Sequence, residues 1–286
     1  MTTVHRASHS PVEGAKPFLK WAGGKRRLLS QYAGYFPPPS TIGRYYEPFI
    51  GSAAIFFHLQ PAEARLADVN QNLVEVYRVV QQDVERVICS LKGHKNERDY
   101  YYRVRDQDPA ELTPAHRAAR LIYLNRTCYN GLYRENQKGR FNVPFGRYDN
   151  PTICDEDRLR RASQALQGVE LVDDDFEVVV APAGLGDFVY FDPPYVPLSN
   201  TSNFTAYNRY GFDLDDQRRL AEVIGRLTRQ GCRVMLSNSS APLVYELYDR
   251  PEYRLVPIQA RRSINSKAGG RGPVKELLIL NYGLGT

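Results

Sequence analysis

The sequence predicts an α/β fold built on a mostly parallel, doubly wound sheet. Short apolar segments rich in β-branched and aromatic residues alternate with segments of helical periodicity. One apolar segment leads into a glycine turn and a helix, and two others end at an aspartate. Such junctions are typical of the carboxyl edge of a parallel sheet, where open α/β folds bind their ligands.

The first junction follows the strand-like segment Tyr45–Ile50. Gly51 makes the turn, and Ile55, Phe56 and Leu59 form the apolar face of the next helix. A glycine lets the backbone approach a ligand closely, and the start of a helix offers unpaired N–H groups. We therefore expect a ligand at this turn.

A second strand, Ala64–Ala67, ends at Asp68. This aspartate follows the turn by roughly 20 residues, a spacing at which an acidic side chain can bind ribose hydroxyls. Nucleoside binding is therefore a hypothesis. A turn with a purely structural role gives the same pattern, so both interpretations stay open at this point.

Further segments complete the predicted core. Phe188–Phe191 is a buried strand, and Asp213 caps a helix that Gly231 stops. Cys232–Leu236 and Glu276–Leu280 are two more strands. The alternation of strands and helices implies a mostly parallel sheet.

Between Asp68 and about Thr152 the pattern changes to helices that carry polar aromatic residues, including Tyr100–Tyr102. This segment is inserted into the core. We predict a core made of residues 1–70 and 153–286, with an inserted domain at residues 71–152.

The loop Asp192-Pro193-Pro194-Tyr195 directly follows the strand Phe188–Phe191. Two prolines stiffen the loop and leave carbonyl acceptors free, and Tyr195 is expected to be exposed. Asp192 and the Pro193 carbonyl can accept the two hydrogens of an amino group, while the Tyr195 ring stacks on the attached base. The alternative is a proline-rich turn with a surface tyrosine.

Composition fits a protein with a substantial interior, since 42% of its 286 residues are hydrophobic and 24% are charged. No signal or membrane segment is visible, so we expect a cytoplasmic protein. Its four cysteines, Cys89, Cys128, Cys154 and Cys232, lack paired short spacings. We therefore expect neither a metal nor a disulfide framework.

Basic and aromatic residues alternate between Arg117 and Arg147, where Glu135 is the only acidic residue. Together with a formal net charge of +6, this composition favours a nucleic acid as partner. The segment Arg261–Arg271 adds positive charge and glycine, as expected of a loop that orders on a polyanion. A solvated surface loop is the alternative.

The segment Phe18–Lys25 places Trp21 close to Lys25 and a glycine pair. It lacks the hydroxyl residue that follows the lysine of a phosphate loop, so a nucleoside triphosphate site is rejected. Trp21 could cover an adenine ring while Lys25 reaches a carboxylate. A buried anchor for the N-terminal segment is the alternative.

These segments, taken in order, resemble the Dam-type DNA adenine methyltransferases. The resemblance covers nearly the whole chain and rests on Phe18–Lys25, Glu47–Gly51, Asp68–Asn70, Tyr129–Leu132, Phe141–Gly146, Asp192–Tyr195, Asn203–Thr205 and Arg261–Ile264. It implies a Rossmann-like, S-adenosylmethionine-dependent methyltransferase fold with an inserted, mainly helical target-recognition domain that carries a β-hairpin. The implied reaction methylates N6 of an adenine flipped out of double-stranded DNA, within GATC. We expect such an enzyme to be nucleoid-associated and monomeric when free.

The resemblance also implies roles for individual residues. It assigns catalysis to the loop residues Asp192, Pro193, Pro194 and Tyr195. It assigns S-adenosylmethionine binding to Trp21, Lys25, Glu47, Pro48, Phe49, Gly51, Asp68 and Asp192. DNA binding falls to Lys20, Arg126, Tyr129, Asn130, Leu132, Arg134, Asn136, Asn142, Pro144, Arg147, Arg261 and Arg262. In this assignment Tyr129 wedges into the duplex and Arg134 contacts a guanine.

One departure from the family concerns the turn after Gly51, where a second glycine is usual and Ser52-Ala53-Ala54 stands here. Alanine fits most helical turns, so activity is expected to survive. Relatives acting on RNA, on cytosine or on protein glutamine usually replace Asp192 by serine or asparagine, so the aspartate favours adenine in DNA. A DNA-binding regulator without catalysis is a further alternative, which Asp192, Tyr195, Trp21, Lys25 and Asp68 disfavour.

Overall fold

A computed structural model of the protein describes residues 10–198, 211–261 and 273–283. The chain forms two compact units. The first contains the residues up to Arg26 together with Gly51–Glu63 and Asn70–Asp173, and the second contains Arg27–Ile50, Ala64–Val69 and the residues from Asp174 onward.

Helices and strands alternate through most of the described chain. The α-helices are α1 (Leu29–Tyr32), α2 (Ala54–Leu59), α3 (Gln71–Lys92), α4 (Arg98–Asp106), α5 (Pro114–Thr127), α6 (Glu156–Ala165), α7 (Phe176–Val180), α8 (Leu214–Arg229) and α9 (Pro242–Tyr248). The strands are β1 (Tyr45–Glu47), β2 (Ala64–Ala67), β3 (Glu170–Val172), β4 (Phe188–Phe191), β5 (Arg233–Ser239), β6 (Arg254–Arg261) and β7 (Pro273–Leu280).

The six strands of the second unit lie in the order β2-β1-β4-β5-β7-β6. β1 pairs in parallel with β2 and β4, and β4 pairs in parallel with β5. β7 runs antiparallel to both β5 and β6. The predicted α/β class with a mostly parallel sheet is confirmed, and the antiparallel edge is a feature that sequence reasoning missed.

The predicted strand Phe188–Phe191 coincides with β4, and all four of its side chains are buried. β1 is shorter than predicted, because the chain leaves the sheet after Glu47. Beyond it, Phe49 packs against Phe176, Phe191 and Phe212, with ring centroids 5.5 to 6.4 Å apart. The side chain of Phe49 thus belongs to an aromatic cluster of the second unit.

The first unit is mainly helical. Its longest helix, α3, has 22 residues and is broken at Asp83, where φ is −150° and ψ is 58°. The Asp83 carboxylate accepts a hydrogen bond from the backbone N–H of Arg86, so it caps the second half of the helix. Buried residues of α3 such as Leu73, Val76 and Tyr77 line its apolar face.

The β-hairpin implied by the resemblance is present in the first unit as a short antiparallel ladder. Glu135 and Phe141 form a bridge, and the N–H of Asn142 donates to the carbonyl of Arg134 at 3.0 Å. At the tip, the Asn136 side chain accepts from the backbone N–H groups of Lys138 and Arg140. Side-chain contacts therefore hold a turn that has few ladder bonds.

The N-terminus of α8 confirms the predicted cap at Asp213. Its carboxylate accepts from the N–H groups of Asp215 and Asp216, and Asp216 in return accepts from the N–H of Asp213. This capping box satisfies backbone donors that the helix leaves unpaired. At the other end, Gly231 adopts a φ of +79°, as the predicted stop requires.

We expect Asp213→Ala to lower the free energy of unfolding by about 0.5–2 kcal/mol, because the alanine leaves two helix N–H groups without an acceptor. Asp213→Asn keeps a side-chain oxygen and serves as the matched control, with stability close to that of the wild type. Urea denaturation measures both variants. Equal losses in the two variants would contradict the capping role.

Candidate active site

Three acidic residues lie at the carboxyl ends of neighbouring parallel strands in the second unit. Glu47 is the last residue of β1, Asp68 directly follows β2, and Asp192 directly follows β4. Because β1 lies between β2 and β4, the three residues share one edge of the sheet. This edge is rich in carboxylate acceptors, which suits the hydroxyl and amino donors of a nucleoside ligand.

Glu47 is buried, with 2% of its surface exposed. The hydroxyl of Tyr45 donates to its Oε2 at 2.8 Å, which offsets part of the cost of burying the carboxylate. The two side chains can meet because residues two apart on a strand point to the same face. Burial and the neighbouring Glu47 charge raise the pKa of Tyr45 well above its usual value, so this hydroxyl remains a donor.

Asp192 is partly buried, and its carboxylate is oriented by a side chain of β5. Ser237 Oγ donates to Asp192 Oδ1 at 3.3 Å, and the hydroxyl of Tyr190 lies 2.7 Å from Ser237 Oγ. Both Ser237 and Tyr190 are almost completely buried. Sequence reasoning missed the role of Ser237, because nothing local links it to Asp192.

The two prolines after Asp192 differ in their surroundings. The carbonyl of Pro194 accepts from Gln217 Nε2 at 2.7 Å, and Gln217 is held in turn by Asn238 Nδ2 at 3.0 Å. The prediction that both carbonyls are free is therefore wrong for Pro194. The carbonyl of Pro193 accepts no hydrogen bond from the part of the chain that the structure describes.

Tyr195 is half-buried, and the prediction of an exposed ring is wrong in this respect. Its hydroxyl donates to Glu276 Oε2 at 2.9 Å, and the hydroxyl of Tyr32 donates to the same oxygen at 3.2 Å. Burial, followed by the charge of Asp192, raises the pKa of Tyr195 well above its usual value. Sequence reasoning missed this cluster because Tyr32 and Glu276 lie far from Tyr195 in the chain.

In the first unit, the predicted cofactor segment forms a tight turn. The N–H of Gly24 donates to the carbonyl of Trp21 at 3.1 Å, and Lys25 Nζ donates to the carbonyl of Gly23 at 2.8 Å. Trp21 stacks on Tyr133 with ring centroids 4.9 Å apart. Only 3% of the surface of Lys25 is exposed, so its ammonium lies within the turn.

Gly51 has a φ of +45°, and a Cβ atom at this position would lie 3.0 Å from Trp21 Cδ1. The hydroxyl of Tyr77 donates to the Gly51 carbonyl at 3.0 Å. The turn continues through Ala53, whose φ of 55° lies in the left-handed region. Ala53 is therefore not in a helical turn, and the argument that alanine is well tolerated there is wrong, because this conformation disfavours a Cβ atom.

The predicted wedge and its neighbours lie on a turn after α5. Tyr129 has 52% of its surface exposed, and its N–H donates to the carbonyl of Pro144 at 2.9 Å. Asn125, which is fully buried, exchanges two hydrogen bonds with the backbone of Lys20 and donates to the carbonyl of Gly131 at 3.1 Å. Asn125 thus joins two predicted DNA-binding segments, a role that sequence reasoning missed.

The hairpin presents Arg134 as an exposed side chain. Its Nε donates to Asn142 Oδ1 at 2.7 Å, so two predicted DNA-binding residues contact each other. Among the remaining predicted DNA contacts of this unit, Asn130, Asn136, Pro144 and Arg147 are exposed and Leu132 is half-buried.

Two predicted DNA contacts are partly buried. Arg126 donates to the carbonyl of Phe18 at 2.7 Å, and burial, followed by the charge of Arg158, lowers its pKa. Lys20 Nζ lies 4.4 Å from the centre of the Tyr148 ring, and burial, followed by Arg126, lowers its pKa too. These side chains support the local structure of the first unit in addition to any contact with DNA.

Some predicted residues lie at the end of a described range or outside the described ranges. Arg261 is the last residue of β6. Arg262 and the rest of the predicted loop up to Arg271 lie outside the described residues, as does the segment Asn203–Thr205. Among the described residues, no group of three or more histidine, cysteine, aspartate or glutamate side chains could hold a metal ion. No helix found in the described ranges has the length and apolar character needed to span a membrane.

Comparison with known proteins identifies the family. A family model of the D12 class N6 adenine-specific DNA methyltransferases matches residues 21–264. The chain is an α/β methyltransferase that belongs to this D12 class of N6 adenine-specific DNA methyltransferases. It is thus an enzyme whose substrate is adenine in DNA, as the resemblance predicted.

Several curated relatives match over nearly their whole length. A type II methyltransferase, M1.LlaDCHI, of Lactococcus lactis subsp. cremoris is 42% identical over 94% of this chain and 96% of its own. The type II methyltransferase M.MjaIII of Methanocaldococcus jannaschii is 42% identical over 93% and 99%. The DNA adenine methylase of Escherichia coli is 36% identical over 93% and 95%.

We expect Gly51→Ala to destabilise the protein more than Gly168→Ala does. Both glycines have positive φ values, so each alanine costs about 1–2 kcal/mol of backbone strain. Gly168 has no atom within 4 Å of the added Cβ, whereas at Gly51 the indole of Trp21 must shift. Urea denaturation measures the stabilities, and the emission of Trp21, the single tryptophan, reports its displacement. Equal losses with unchanged emission would contradict the close contact.

Proposed function

We propose that this enzyme transfers the methyl group of S-adenosylmethionine to N6 of an adenine flipped out of double-stranded DNA, within the sequence GATC. The observation that carries the proposal is the Asp192 carboxylate at the end of β4, oriented by Ser237 and followed by the Pro193 carbonyl. Carboxylates at the ends of the neighbouring strands β1 and β2 complete the set of acceptors.

The acceptors after β4 fit the amino group of adenine. Asp192 and the Pro193 carbonyl each accept one amine hydrogen, which favours the pyramidal nitrogen whose lone pair can attack. Because Ser237 and Gln217 hold the loop before the base arrives, these dipoles need little rearrangement during the reaction. When bound, S-adenosylmethionine supplies an electrophilic methyl group on a sulfonium sulfur.

Proton transfer places a modest demand on the protein. The methylated amine is strongly acidic before it loses its proton, so Asp192 can accept that proton without being a powerful base. No side chain has to act as a nucleophile, because positioning and polarisation suffice for a direct displacement. The hydrogen bond to Glu276 fixes the Tyr195 ring, which in our proposal stacks on the flipped base.

The proposed cofactor-binding residues fall into two groups. In the second unit, Asp68 and Glu47 offer acceptors for ribose hydroxyls and for the methionine ammonium group. Pro48 and Phe49 follow directly after Glu47 at the same strand end. For the first unit, the resemblance assigns Trp21, Lys25 and Gly51 to the same ligand.

We further propose that residues 71–152 contain the target-recognition domain, in which Arg134 contacts a guanine and Tyr129 wedges into the duplex. The exposure of both side chains supports these roles. The preference for GATC rests on the resemblance of Leu132, Arg134 and Pro144 to the family's base contacts. The relatives include both type II methyltransferases and DNA adenine methylases. Their names support the methylation of DNA, and the target sequence GATC rests on the resemblance of these three residues.

The reaction is tested by sequencing that maps modified adenines in DNA from a host without adenine methylation. Cells expressing the wild-type chain should show N6-methyladenine at GATC. Cells expressing Asp192→Ala should show a blank map, because removal of a positioned acceptor costs about 10²–10³-fold or more in rate. Purified Asp192→Ala should still bind the duplex in a mobility-shift assay.

Asp215→Asn is the matched control, since it removes an exposed carboxylate of α8 in the same unit and should leave the map unchanged. If the map shows methylated adenines in a different sequence, the target GATC is rejected and the proposed reaction stands. A blank map for a folded wild-type chain would reject the proposed reaction in these cells, and an active Asp192→Ala would reject the mechanism.

We expect Arg134→Ala to lose about 1–3 kcal/mol of discrimination at one base pair, because a bidentate contact with guanine is worth that much. Methylation rates on duplexes with single substitutions in the target measure this discrimination. Arg140→Ala serves as the control, because Arg140 is another exposed arginine of the same hairpin. If Arg134→Ala instead lowers the methylation rate by the same factor on all duplexes, Arg134 contacts a phosphate and not a base.

A further inference from the structure

Tyr133 connects two parts of the first unit for which different ligands are proposed. Its ring stacks on Trp21, with centroids 4.9 Å apart and an interplanar angle of 27°. Trp21 belongs to the segment assigned to the methyl donor, and Tyr133 directly precedes Arg134 of the DNA-contacting hairpin. Neither the resemblance nor the reaction chemistry assigns a role to Tyr133.

Contacts with the hairpin and with α3 hold Tyr133 in place. The Tyr133 hydroxyl donates to the Glu135 carboxylate and accepts from Asn72 Nδ2 at 3.3 Å. The Phe141 ring packs against the Tyr133 ring in a T-shaped arrangement from the opposite side of the hairpin, with centroids 5.7 Å apart. Because Tyr133 directly precedes Arg134 in the chain and its hydroxyl is bound to Glu135 of the hairpin, a movement of the hairpin also moves Tyr133.

Tyr133 and Arg134 face different surroundings. Arg134 is exposed, whereas Tyr133 is partly buried against Trp21. This is the alternation expected of successive side chains in extended backbone. A displacement of the hairpin when Arg134 contacts a base pair is therefore also a displacement of the Tyr133 ring.

Gly51 restricts the movement of the Trp21 ring on one side. Gly51 lies against the indole so closely that an added Cβ would be 3.0 Å from Trp21 Cδ1. Gly51 is itself held by the hydroxyl of Tyr77, which donates to its carbonyl at 3.0 Å. Closely packed groups transmit a shift to their neighbours because no void takes it up.

We propose that Tyr133 is a positioning residue that couples binding of the methyl donor at Trp21 to engagement of target DNA by the hairpin. This inference rests on the proposed function, because it takes Trp21 as part of the donor site and Arg134 as a base contact. Coupling between two binding sites is reciprocal, so DNA tightens donor binding and the donor tightens DNA binding by the same factor.

The test measures this coupling factor. Calorimetry gives the Kd of S-adenosylhomocysteine, the demethylated donor, with and without a saturating duplex that contains one GATC. The wild type should bind it about tenfold more tightly in the presence of the duplex, within the usual range of coupling between sites. Tyr133→Leu should reduce the factor to about one, while each ligand alone binds within about threefold of its wild-type Kd.

Two control variants separate coupling from a structural effect. Phe141→Leu disturbs the packing of the hairpin but keeps the ring of Tyr133 on Trp21, so the coupling should persist. Tyr133→Phe keeps the aromatic ring that stacks on Trp21, so it should retain most of the coupling between the two ligands. The emission of Trp21, the single tryptophan, should respond to duplex in the wild type and Phe141→Leu, and not in Tyr133→Leu.

The possible outcomes distinguish the coupling role of Tyr133 from the proposed function on which it rests. If Tyr133→Leu retains the wild-type factor, or if Phe141→Leu loses it equally, Tyr133 has no specific coupling role. If the wild type binds both ligands with no coupling, the inference fails and the proposed function stands. If the wild type binds neither S-adenosylhomocysteine nor the duplex, the proposed function fails and this inference fails with it.

Discussion

Parallel pairing of β2, β1 and β4 is the constraint on which the candidate active site depends. Because these strands run in the same direction and lie side by side, their carboxyl ends deliver Asp68, Glu47 and Asp192 to one edge of the sheet. Carboxylates concentrated at one edge repel each other and lose hydration. Hydroxyl donors offset that cost, from Tyr45 to Glu47 and from Ser237 to Asp192.

Buried phenols keep the electrostatics of this edge fixed. Burial and nearby carboxylates raise the pKa of Tyr32, Tyr45, Tyr190 and Tyr195 well above the usual value. Each phenol therefore remains neutral and available as a donor through the physiological pH range. A further negative charge at this edge would compete with the acceptors proposed to hold the target amine, and neutral phenols add none.

In the first unit, side-chain contacts hold several irregular segments in place. The Trp21 turn, the Tyr129 turn and the hairpin have few ladder bonds of their own. Asn125 ties the backbone of Lys20 to the Tyr129 turn, and the stack of Trp21 on Tyr133 joins the N-terminal segment to the hairpin. Side-chain contacts of this kind allow small movements, which suits segments that meet a ligand.

The sequence by itself determined the α/β class, the strand Phe188–Phe191, the cap at Asp213, and the acidic residues that end β2 and β4. Each of these follows from local periodicity or from the chemistry of neighbouring residues. Tertiary structure decided that Tyr195 is tied to Glu276, that Ser237 orients Asp192, that β7 runs antiparallel, and that Trp21 meets Tyr133. These contacts join residues far apart in the chain, and only folding selects which distant partners meet.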